Sequence, residues 1–479
     1  MSVAISTIEH MTDTLSELDA TALLAVATSA VRDRRLAEVR DLEVLSQWAA
    51  VHSSDPTEGP DDGHSRRLGD VLVRLGGEGT PGVQDFCLGE IALARGTGVT
   101  STTNALADVL DLQHRLPLTW AVVRRGEAEV FVARRVAKLS RHLPATRVGV
   151  VDAAVARIIA REAGGRVLAV AEAKVIEADP GLHDERVEAE KARRYVGSGR
   201  TDQYGLRTVI ARITAGDAVW VEATVQRVAE ILAHTHPDTG ADALRATAFG
   251  LLARPAELLQ LLLEHTDDVR PGTAAEAPSR ATSFPADLLE ALRSADLSVL
   301  APTAVLHVHL HEAALTGTDA VARVEGLGPV ALSALCSLLG RTKLTVRPVR
   351  DLSSRVRSTA YEHPESLKEH VYLTTGGDYW PFATSTSRRV DYDHPTPYAD
   401  TGPPGQQTGS HNSGPLGRRH HRWKTHAGYR SRQCGDGRYI WLTPHGLAFL
   451  VDHLGTRRLD PTHARQMLEA PAGVDLYFT

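Results

Sequence analysis

The stretches RVDYDHPTPY (residues 389–398) and NSGPLGRRHHRWKTH (residues 412–426) hold the densest group of chemically active side chains in this sequence. Asp393 and His394 are adjacent, Asn412 lies 18 residues after His394, and His421 lies 9 residues after Asn412. Four basic residues surround His421: Arg418, Arg419, Arg422 and Lys424. One histidine alone would mean little, but these residue types in this order indicate a site for chemistry on a phosphate.

The residue types match the needs of phosphodiester hydrolysis, which requires a nucleophilic water and charge stabilisation at phosphorus and at the leaving oxygen. A carboxylate and an imidazole can hold one divalent cation and leave positions open for water and phosphate. A second imidazole, kept off the metal, can deprotonate water near neutral pH. We therefore expect Asp393 and His421 to be the metal ligands and His394 the general base. Asn412 is expected to bridge the loop backbone and keep His394 oriented.

The two stretches resemble the HNH segment of a large bacterial family. Its members join a C-terminal HNH endonuclease-like domain to a helical N-terminal domain of unknown function 222, also called the 13E12 repeat family. The resemblance extends to EIALAR (residues 90–95), VEGLGP (residues 324–329) and TVRPV (residues 345–349), and so covers most of the chain. It implies a ββα-metal fold, with a hairpin presenting Asp393 and His394 and a helix from near Leu416 presenting His421. It also implies products with 5′-phosphate and 3′-hydroxyl ends.

One departure from the family concerns a structural zinc knuckle, which members usually build from cysteines flanking the site. The corresponding positions here are Asp378, Ala383, Val390 and Gly417, so a structural zinc is not expected. Small folds of this kind depend on such a metal for stability. One alternative is a decayed module without turnover. Another is that the aromatic run Tyr379–Phe382, together with Trp441, packs where the knuckle would be.

Charge is distributed unevenly along the chain. The net charge is −6, but residues 388–438 carry 9 Arg or Lys against 4 Asp, which leaves the remainder at about −11. We expect the basic residues of the HNH segment to bind DNA phosphates, an interaction that is sequence-independent and sensitive to salt. The alternative is a solvated helical face. The residues concerned are Arg418, Arg419, Arg422 and Lys424.

Composition favours a helical protein of two or three domains. The chain has 479 residues with 42% hydrophobic and only 5% aromatic residues, and its alanines, leucines and arginines favour helices. Its three cysteines are widely separated and form no CxxC pair, which argues against a disulfide framework. We find neither a signal peptide nor an apolar run of membrane-spanning length, so we predict a cytoplasmic protein with no membrane partner.

We predict a mainly α protein with a helical N-terminal domain, a small α+β middle segment and a C-terminal ββα-metal (HNH) module. In the middle segment, the glycines Gly326 and Gly328 predict a turn before a helix that runs from Val330 to Leu339. The expected segments are a helical segment 1–52, a linker 53–69, a helical domain 70–270, a linker 271–285, a mixed α/β segment 286–366, the nuclease-like module 367–460 and a tail 461–479.

The leading functional hypothesis is a DNA endonuclease of the HNH type that uses one divalent metal, with Mg, Mn, Ni and Zn left undistinguished. The alternative is a catalytically decayed HNH module that acts as a DNA-binding or protein-interaction protein. Asp391 would share a strand face with Asp393 and is expected to have at most a supporting role. His420 is expected to point to the other face of its helix and receives no catalytic role.

Overall fold

The computed structural model describes residues 15–58, 69–202, 204, 206–265, 290, 294, 308–310, 321–325, 327–332, 352, 354–399 and 407–470. The chain is mainly α, as predicted, and the described residues also form small antiparallel sheets. It divides into two compact units, one formed by Met1–His183 and Arg347–Thr479 and the other by Asp184–Val346. The border at His183 lies inside the segment 70–270, so the packing units do not coincide with the segments expected from the sequence.

The N-terminal part of the first unit is a stack of helices. Helix α1 begins after Asp19, whose carboxylate accepts a hydrogen bond from the Ala22 backbone N–H (2.8 Å), and buries Leu42, Leu45 and Ala49 on one face at helical spacing. A short hairpin, β1 (Leu72–Arg74) with β2 (Gly82–Gln84), precedes the next helices. The helices are α1 (Ala20–Val51), α2 (Cys87–Arg95), α3 (Val99–His114), α4 (Pro117–Arg124), α5 (Val130–Ser140), α6 (Gly149–Ile158) and α7 (Gly164–Ala178), and α8 (Pro180–Ala192) crosses the unit border.

The second unit, taken by itself, contains a hairpin of β3 (Tyr195–Thr201) and β4 (Arg207–Arg212) and the helices α9 (Ala215–Thr235), α10 (Ala241–Leu251) and α11 (Pro255–Glu264). A three-stranded antiparallel sheet follows, made of β5 (Val308–His309), β6 (Val321–Val324) and β7 (Gly328–Ala331). The predicted helix start at Val330 is wrong, because Val330 lies in β7 and pairs with Ala322. Residues 333–339 of that prediction lie outside the described residues.

The C-terminal part of the first unit combines short strand pairs, three helices and a four-stranded antiparallel meander. β8 pairs with β10, β9 pairs with β11, and the meander runs in chain order from β12 to β15. The elements are β8 (Arg357–Ser358), α12 (Glu365–Thr375), β9 (Asp391–Asp393), β10 (Thr408–Gly409), β11 (Gly414–Leu416), α13 (Arg418–His426), β12 (Arg430–Gln433), β13 (Tyr439–Leu442), β14 (Ala448–Asp452), β15 (Gly455–Leu459) and α14 (Pro461–Glu469).

One hydrophobic core joins the two ends of the chain inside the first unit. It contains Leu88 and Leu110 from the N-terminal helices together with Trp423 and Trp441 from the C-terminal part. Gly89 of α2 lies directly against α13, because a Cβ atom there would come within 2.8 Å of Trp423 Cε3. A side chain at this position would therefore force the two helices apart.

No single helix among the described residues is long and apolar enough to cross a membrane. Only Ala241–Leu251 and Pro255–Glu264 taken together meet that requirement, and the pair bends by 120°.

Candidate functional site

The predicted hairpin-then-helix order is present around the HNH stretch. Strand β9 carries Asp391 and Asp393, and Asp393 lies opposite Gly414 of its antiparallel partner β11. His394 follows directly after the strand. Helix α13 begins at Arg418, two residues later than expected, and places His421 in its first turn. The hairpin and the helix thus bring Asp393, His394 and His421 to the wall of one cavity.

His421 is oriented by one aspartate and faces another. Its Nδ1 lies 3.0 Å from Asp391 Oδ2, and its Nε2 lies 3.5 Å from Asp393 Oδ1. If Nδ1–H donates to Asp391, Nε2 keeps a lone pair directed at Asp393. Burial alone would raise the pKa of Asp391, but His421 and Arg418 outweigh it and hold that pKa below its usual value. Asp391 therefore shares the face of Asp393, as predicted, and orients the histidine.

The donor set around Asp393 and His421 fits a divalent cation. Two atoms that each lie about 2.1 Å from one metal ion are typically about 3 to 3.5 Å apart. Asp393 Oδ1 and His421 Nε2 satisfy that separation. A carboxylate that fixes the far nitrogen of a ligating imidazole is a common companion of metal sites. Within the described part of the chain, no three His, Cys, Asp or Glu side chains form a ready metal-binding group, so this fit depends on two ligands.

Lys424 is placed differently from its prediction as a phosphate-binding residue. Its side chain is only 7% exposed, and its ammonium lies 2.7 and 3.0 Å from the two carboxylate oxygens of Asp393. It also donates to the backbone carbonyl of His394. Burial lowers the pKa of Lys424, although the Asp393 carboxylate acts in the opposite direction. The expectation for Lys424 is therefore corrected. Its ammonium is buried against the Asp393 carboxylate and the His394 backbone carbonyl, and it does not face a phosphate.

Tyr379 completes the surroundings of Asp393. Its buried hydroxyl donates to Asp393 Oδ2 (2.5 Å), while burial and the neighbouring carboxylate raise its pKa well above the usual value. Oδ2 thus accepts from both Tyr379 and Lys424, whereas Oδ1, which lies on the side of His421, accepts from Lys424. The asymmetry favours a monodentate role for Asp393 toward any cation.

The proposed base, His394, is buried and held by a threonine. Its Nε2 lies 2.9 Å from Thr408 Oγ1, whereas its Nδ1 makes no hydrogen bond to a described residue. Burial lowers the pKa of His394, with Lys424 contributing in the same direction and Asp393 opposing it. A histidine with a lowered pKa is unprotonated at neutral pH, as a general base must be.

Asn412 bridges the loop, as predicted. Its Oδ1 accepts from the Thr396 backbone N–H (2.8 Å), and its Nδ2 donates to the carbonyls of Thr396 (3.0 Å) and Gln407 (2.9 Å). It thereby fixes the backbone just after His394 on one side and just before Thr408 on the other. Asn412 acts on the base through this backbone, while the direct hydrogen bond to the imidazole comes from Thr408.

The cavity has a volume of about 340 Å³ and is also lined by the segment before α12 and by α12 itself. Tyr361, His363 and Lys368 belong to this lining, and the ring centroid of His363 lies 4.5 Å from that of His394. Burial, together with His394 and Lys368, lowers the pKa of His363 to about 4. None of these three residues was expected at the site, since they precede the HNH stretch and show no motif spacing.

The three arginines of α13 lie in two different environments. Arg418 is 87% exposed and contacts Asp391 (3.0 Å). Arg419 (2.9 Å) and Arg422 both bind Asp85, which precedes α2, so their guanidinium groups are engaged by the N-terminal part of the same unit. Asp85 also accepts from Trp423 Nε1 (3.0 Å). Arg418 has the most exposed side chain of the predicted phosphate-binding residues, whereas those of Arg419 and Arg422 are 42% and 45% exposed.

Two of the four positions where the family has cysteines are joined here by a carboxylate. Asp378 Oδ2 accepts from the Gly417 backbone N–H (3.0 Å) and lies 2.7 Å from His420 Nδ1. His420 stacks on Trp380, with centroids 4.7 Å apart, and thus faces away from His421, as predicted. Tyr379, Trp380 and Trp441 are all buried in the adjoining core.

The comparisons with known proteins add no relative. No protein-family model, curated protein or solved structure matches this chain. The HNH resemblance accordingly stays a prediction that depends on the residues and their geometry.

Proposed function

We propose that the chain is a metal-dependent DNA endonuclease of the HNH type, which hydrolyses phosphodiester bonds with His394 as general base. One observation carries the proposal: His421 Nε2 and Asp393 Oδ1 lie 3.5 Å apart at a cavity that His394 also lines. Asp393 and His421 would hold the divalent cation. When bound, the cation would neutralise the charge that develops at phosphorus and on the leaving 3′ oxygen.

Four other side chains would accept the proton of the water, fix the loop backbone, orient the metal ligand and contact a phosphate. In the tautomer whose Nε2–H donates to Thr408 Oγ1, His394 accepts the proton of the attacking water at Nδ1. Asn412 keeps the loop backbone in place on both sides of this pair. Asp391 holds the His421 ring so that Nε2 faces Asp393. Arg418, exposed at the start of α13, is available to a phosphate of the bound strand.

The decisive experiment is cleavage of supercoiled plasmid by the full chain with Mg²⁺, Mn²⁺, Ni²⁺, Zn²⁺ or EDTA. We expect metal-dependent nicking by the parent and by the control variant His426→Ala, whose side chain is exposed on the same helix as His421. His394→Ala is expected to lose turnover and keep metal binding. Equal cleavage by the parent and His394→Ala would contradict the assignment.

Metal binding can be followed separately through thermal stability, because a ligand that binds only the native state stabilises it by mass action. The parent is expected to gain stability with Mn²⁺, and His421→Ala is expected to lose that gain. Asp391→Asn should lower the metal affinity about 10- to 100-fold, since this substitution removes the carboxylate that orients His421. An unchanged Mn²⁺ response in His421→Ala would exclude this ligand set.

Thr408 gives a prediction that the sequence alone did not suggest. Thr408→Val keeps the shape of the side chain and removes the hydroxyl that binds His394 Nε2, whereas Thr408→Ser keeps the hydroxyl. We expect the valine variant to lose about 10-fold or more in kcat, because a misoriented base transfers protons poorly, and the serine variant to stay near the parent. Single-turnover cleavage measures the difference, and equal rates for the two variants would rule out this role.

The decayed module is a second candidate, favoured by one specific observation. Lys424 and Tyr379 both bind the Asp393 carboxylate, so protein groups alone can satisfy it. A folded protein with neither cleavage nor metal-dependent stabilisation would support a DNA-binding or protein-interaction role. The two candidates are therefore separated by the same pair of experiments.

A further inference from the structure

The N-terminal half of α1 (Ala20–Val51) projects from the unit to which it belongs. The helix buries four residues of its C-terminal half: Val39, Leu42, Leu45 and Ala49. In contrast, every residue from Leu23 to Arg34 is exposed. The helix reaches the start of α5 at Arg34 and Arg35, which both pair with Glu129 (2.7 and 2.6 Å). About the first three turns of α1 therefore extend beyond the body of the unit.

The projecting segment is apolar and carries no charge. Residues 20–31 read ATALLAVATSAV, and their only polar side chains are those of two threonines and a serine. Leu24 is 71% exposed, and Leu23 and Val31 are exposed as well. A helix that faces solvent usually carries charged residues, and a contiguous apolar surface marks an interaction site. The segment therefore has the character of an interface.

The apolar stripe of this segment is complementary to itself in size. Ala20, Leu24, Ala27 and Val31 follow each other at intervals of four, three and four residues, which is the spacing of a coiled-coil seam. In an antiparallel pair of two copies, the register that sets Leu24 of one copy opposite Ala27 of the other also sets Ala20 opposite Val31. Each layer then combines a large side chain with a small one, which allows close packing.

The charges at the two ends of the segment favour the antiparallel orientation. In the same register, Glu17 and Asp19 of one copy reach the level of Arg32 and Arg34 of the other. Arg32 is exposed, and the Arg34 side chain is 47% exposed although it also pairs within its own chain. Acidic and basic residues thus attract each other at both ends, whereas a parallel pair would align like charges.

The length of the projecting segment also fits this pairing. The helix of the second copy begins at Ala20, opposite Val31, and therefore ends its contact just before Arg34 joins the body of the first unit. Twelve residues of helix span about 18 Å. Such a contact lies at the small end of the range for protein interfaces, which indicates a reversible association.

We propose that two copies of this chain form a dimer through antiparallel pairing of residues 20–31 of α1. The inference goes beyond the proposed nuclease function and does not depend on it. It concerns a part of the first unit that contributes no residue to the HNH-like site. The dimer forms in the micromolar range, because its interface is small and is made of two short helical segments.

The test is sedimentation velocity of the full chain at concentrations from about 1 to 100 µM. Leu24→Lys and Ala27→Glu each place a charge in an apolar layer of the pair. The double variant Leu24→Lys/Ala27→Glu sets each introduced lysine opposite an introduced glutamate in the antiparallel register, but aligns like charges in a parallel pair. Val26→Lys is the matched control, since Val26 is exposed on the same helix but lies about 120° around it from the stripe.

We expect the parent and Val26→Lys to dimerise equally. Leu24→Lys should raise the dissociation constant at least about 100-fold, because each dimer loses two buried leucines. Ala27→Glu should also weaken the dimer, and the double variant should regain a large part of the loss. The Tm of the dilute monomer should be the same in all variants, because Leu24, Val26 and Ala27 are exposed and lie outside the core.

Three results would overturn the proposal. A parent that is monomeric at every concentration would show that another part of the chain, or a different protein, covers the segment. A dimer that Leu24→Lys leaves intact, or that Val26→Lys weakens equally, would place the interface elsewhere. A double variant as monomeric as Leu24→Lys, with an unchanged Tm, would exclude the antiparallel register.

Discussion

Replacing Asp393 with alanine is expected to lower the free energy of unfolding by about 3–5 kcal/mol, because it leaves a buried ammonium without its partner. Lys424 is 7% exposed and contacts both carboxylate oxygens of Asp393. The hydroxyl of Tyr379 loses its acceptor as well. The double variant Asp393→Ala/Lys424→Met should regain much of that loss, since it removes the orphaned charge and keeps an apolar chain of similar length.

Denaturant unfolding at neutral pH measures this cycle, and Asp436→Ala, on an exposed turn, is a control expected to change stability by less than about 0.5 kcal/mol. Neither Asp393 variant should show metal-dependent stabilisation, because both lack a proposed ligand. The cycle thus separates the structural role of Asp393 from its chemical one. A double variant no more stable than Asp393→Ala would show that the ion pair is not the source of the loss.

Asp85→Ala is expected to change two properties in opposite directions. Stability should fall by about 2–4 kcal/mol, because Asp85 is 5% exposed and its carboxylate accepts from Arg419, Arg422 and the buried Trp423 indole. DNA binding should become tighter at low salt, because two guanidinium groups are released from an internal carboxylate and can bind phosphate.

Fluorescence anisotropy over a salt series, together with denaturant unfolding, measures both effects. Asp55→Ala is the charge-matched control, since the Asp55 carboxylate accepts from the backbone N–H and the hydroxyl of Thr57 and makes no ion pair with any described residue. Unchanged DNA affinity in Asp85→Ala, at equal folded fraction, would show that Arg419 and Arg422 take no part in phosphate binding. Tighter binding in the Asp55 control would attribute the effect to net charge alone.

Local spacing predicted those parts of the site that are close in sequence. The alternation of β9 placed Asp391 beside Asp393, and helical geometry placed His420 and His421 on different faces. The sequence does carry a signal for Lys424: it lies three residues after His421, so both side chains share one helix face. The basic run predicts a phosphate-binding surface, whereas in the structure Lys424 is buried and pairs with Asp393.

Other contributors could not be predicted, because they come from distant segments without a pattern of their own. Tyr379, Thr408 and His363 reach the site through packing of separate loops and strands. Asp85 is more than three hundred residues from Trp423 in the sequence. A contact across that separation depends on tertiary structure, which neither periodicity nor residue spacing reports. The hairpin and helix were predictable from a resemblance, but their supporting residues were not.

The first unit is assembled from both ends of the chain, with the residues from Asp184 to Val346, about 160 of them, inserted between. A ribosome that synthesises about 5–20 residues per second needs about 10–30 s to make that insert. Throughout this interval, α2 has emerged while Trp423 and Trp441, its partners in the core, do not yet exist. During translation, the apolar surface of the N-terminal helices that packs on Trp423 and Trp441 in the folded unit is therefore exposed. We expect a chaperone to bind that surface until the C-terminal part has been synthesised.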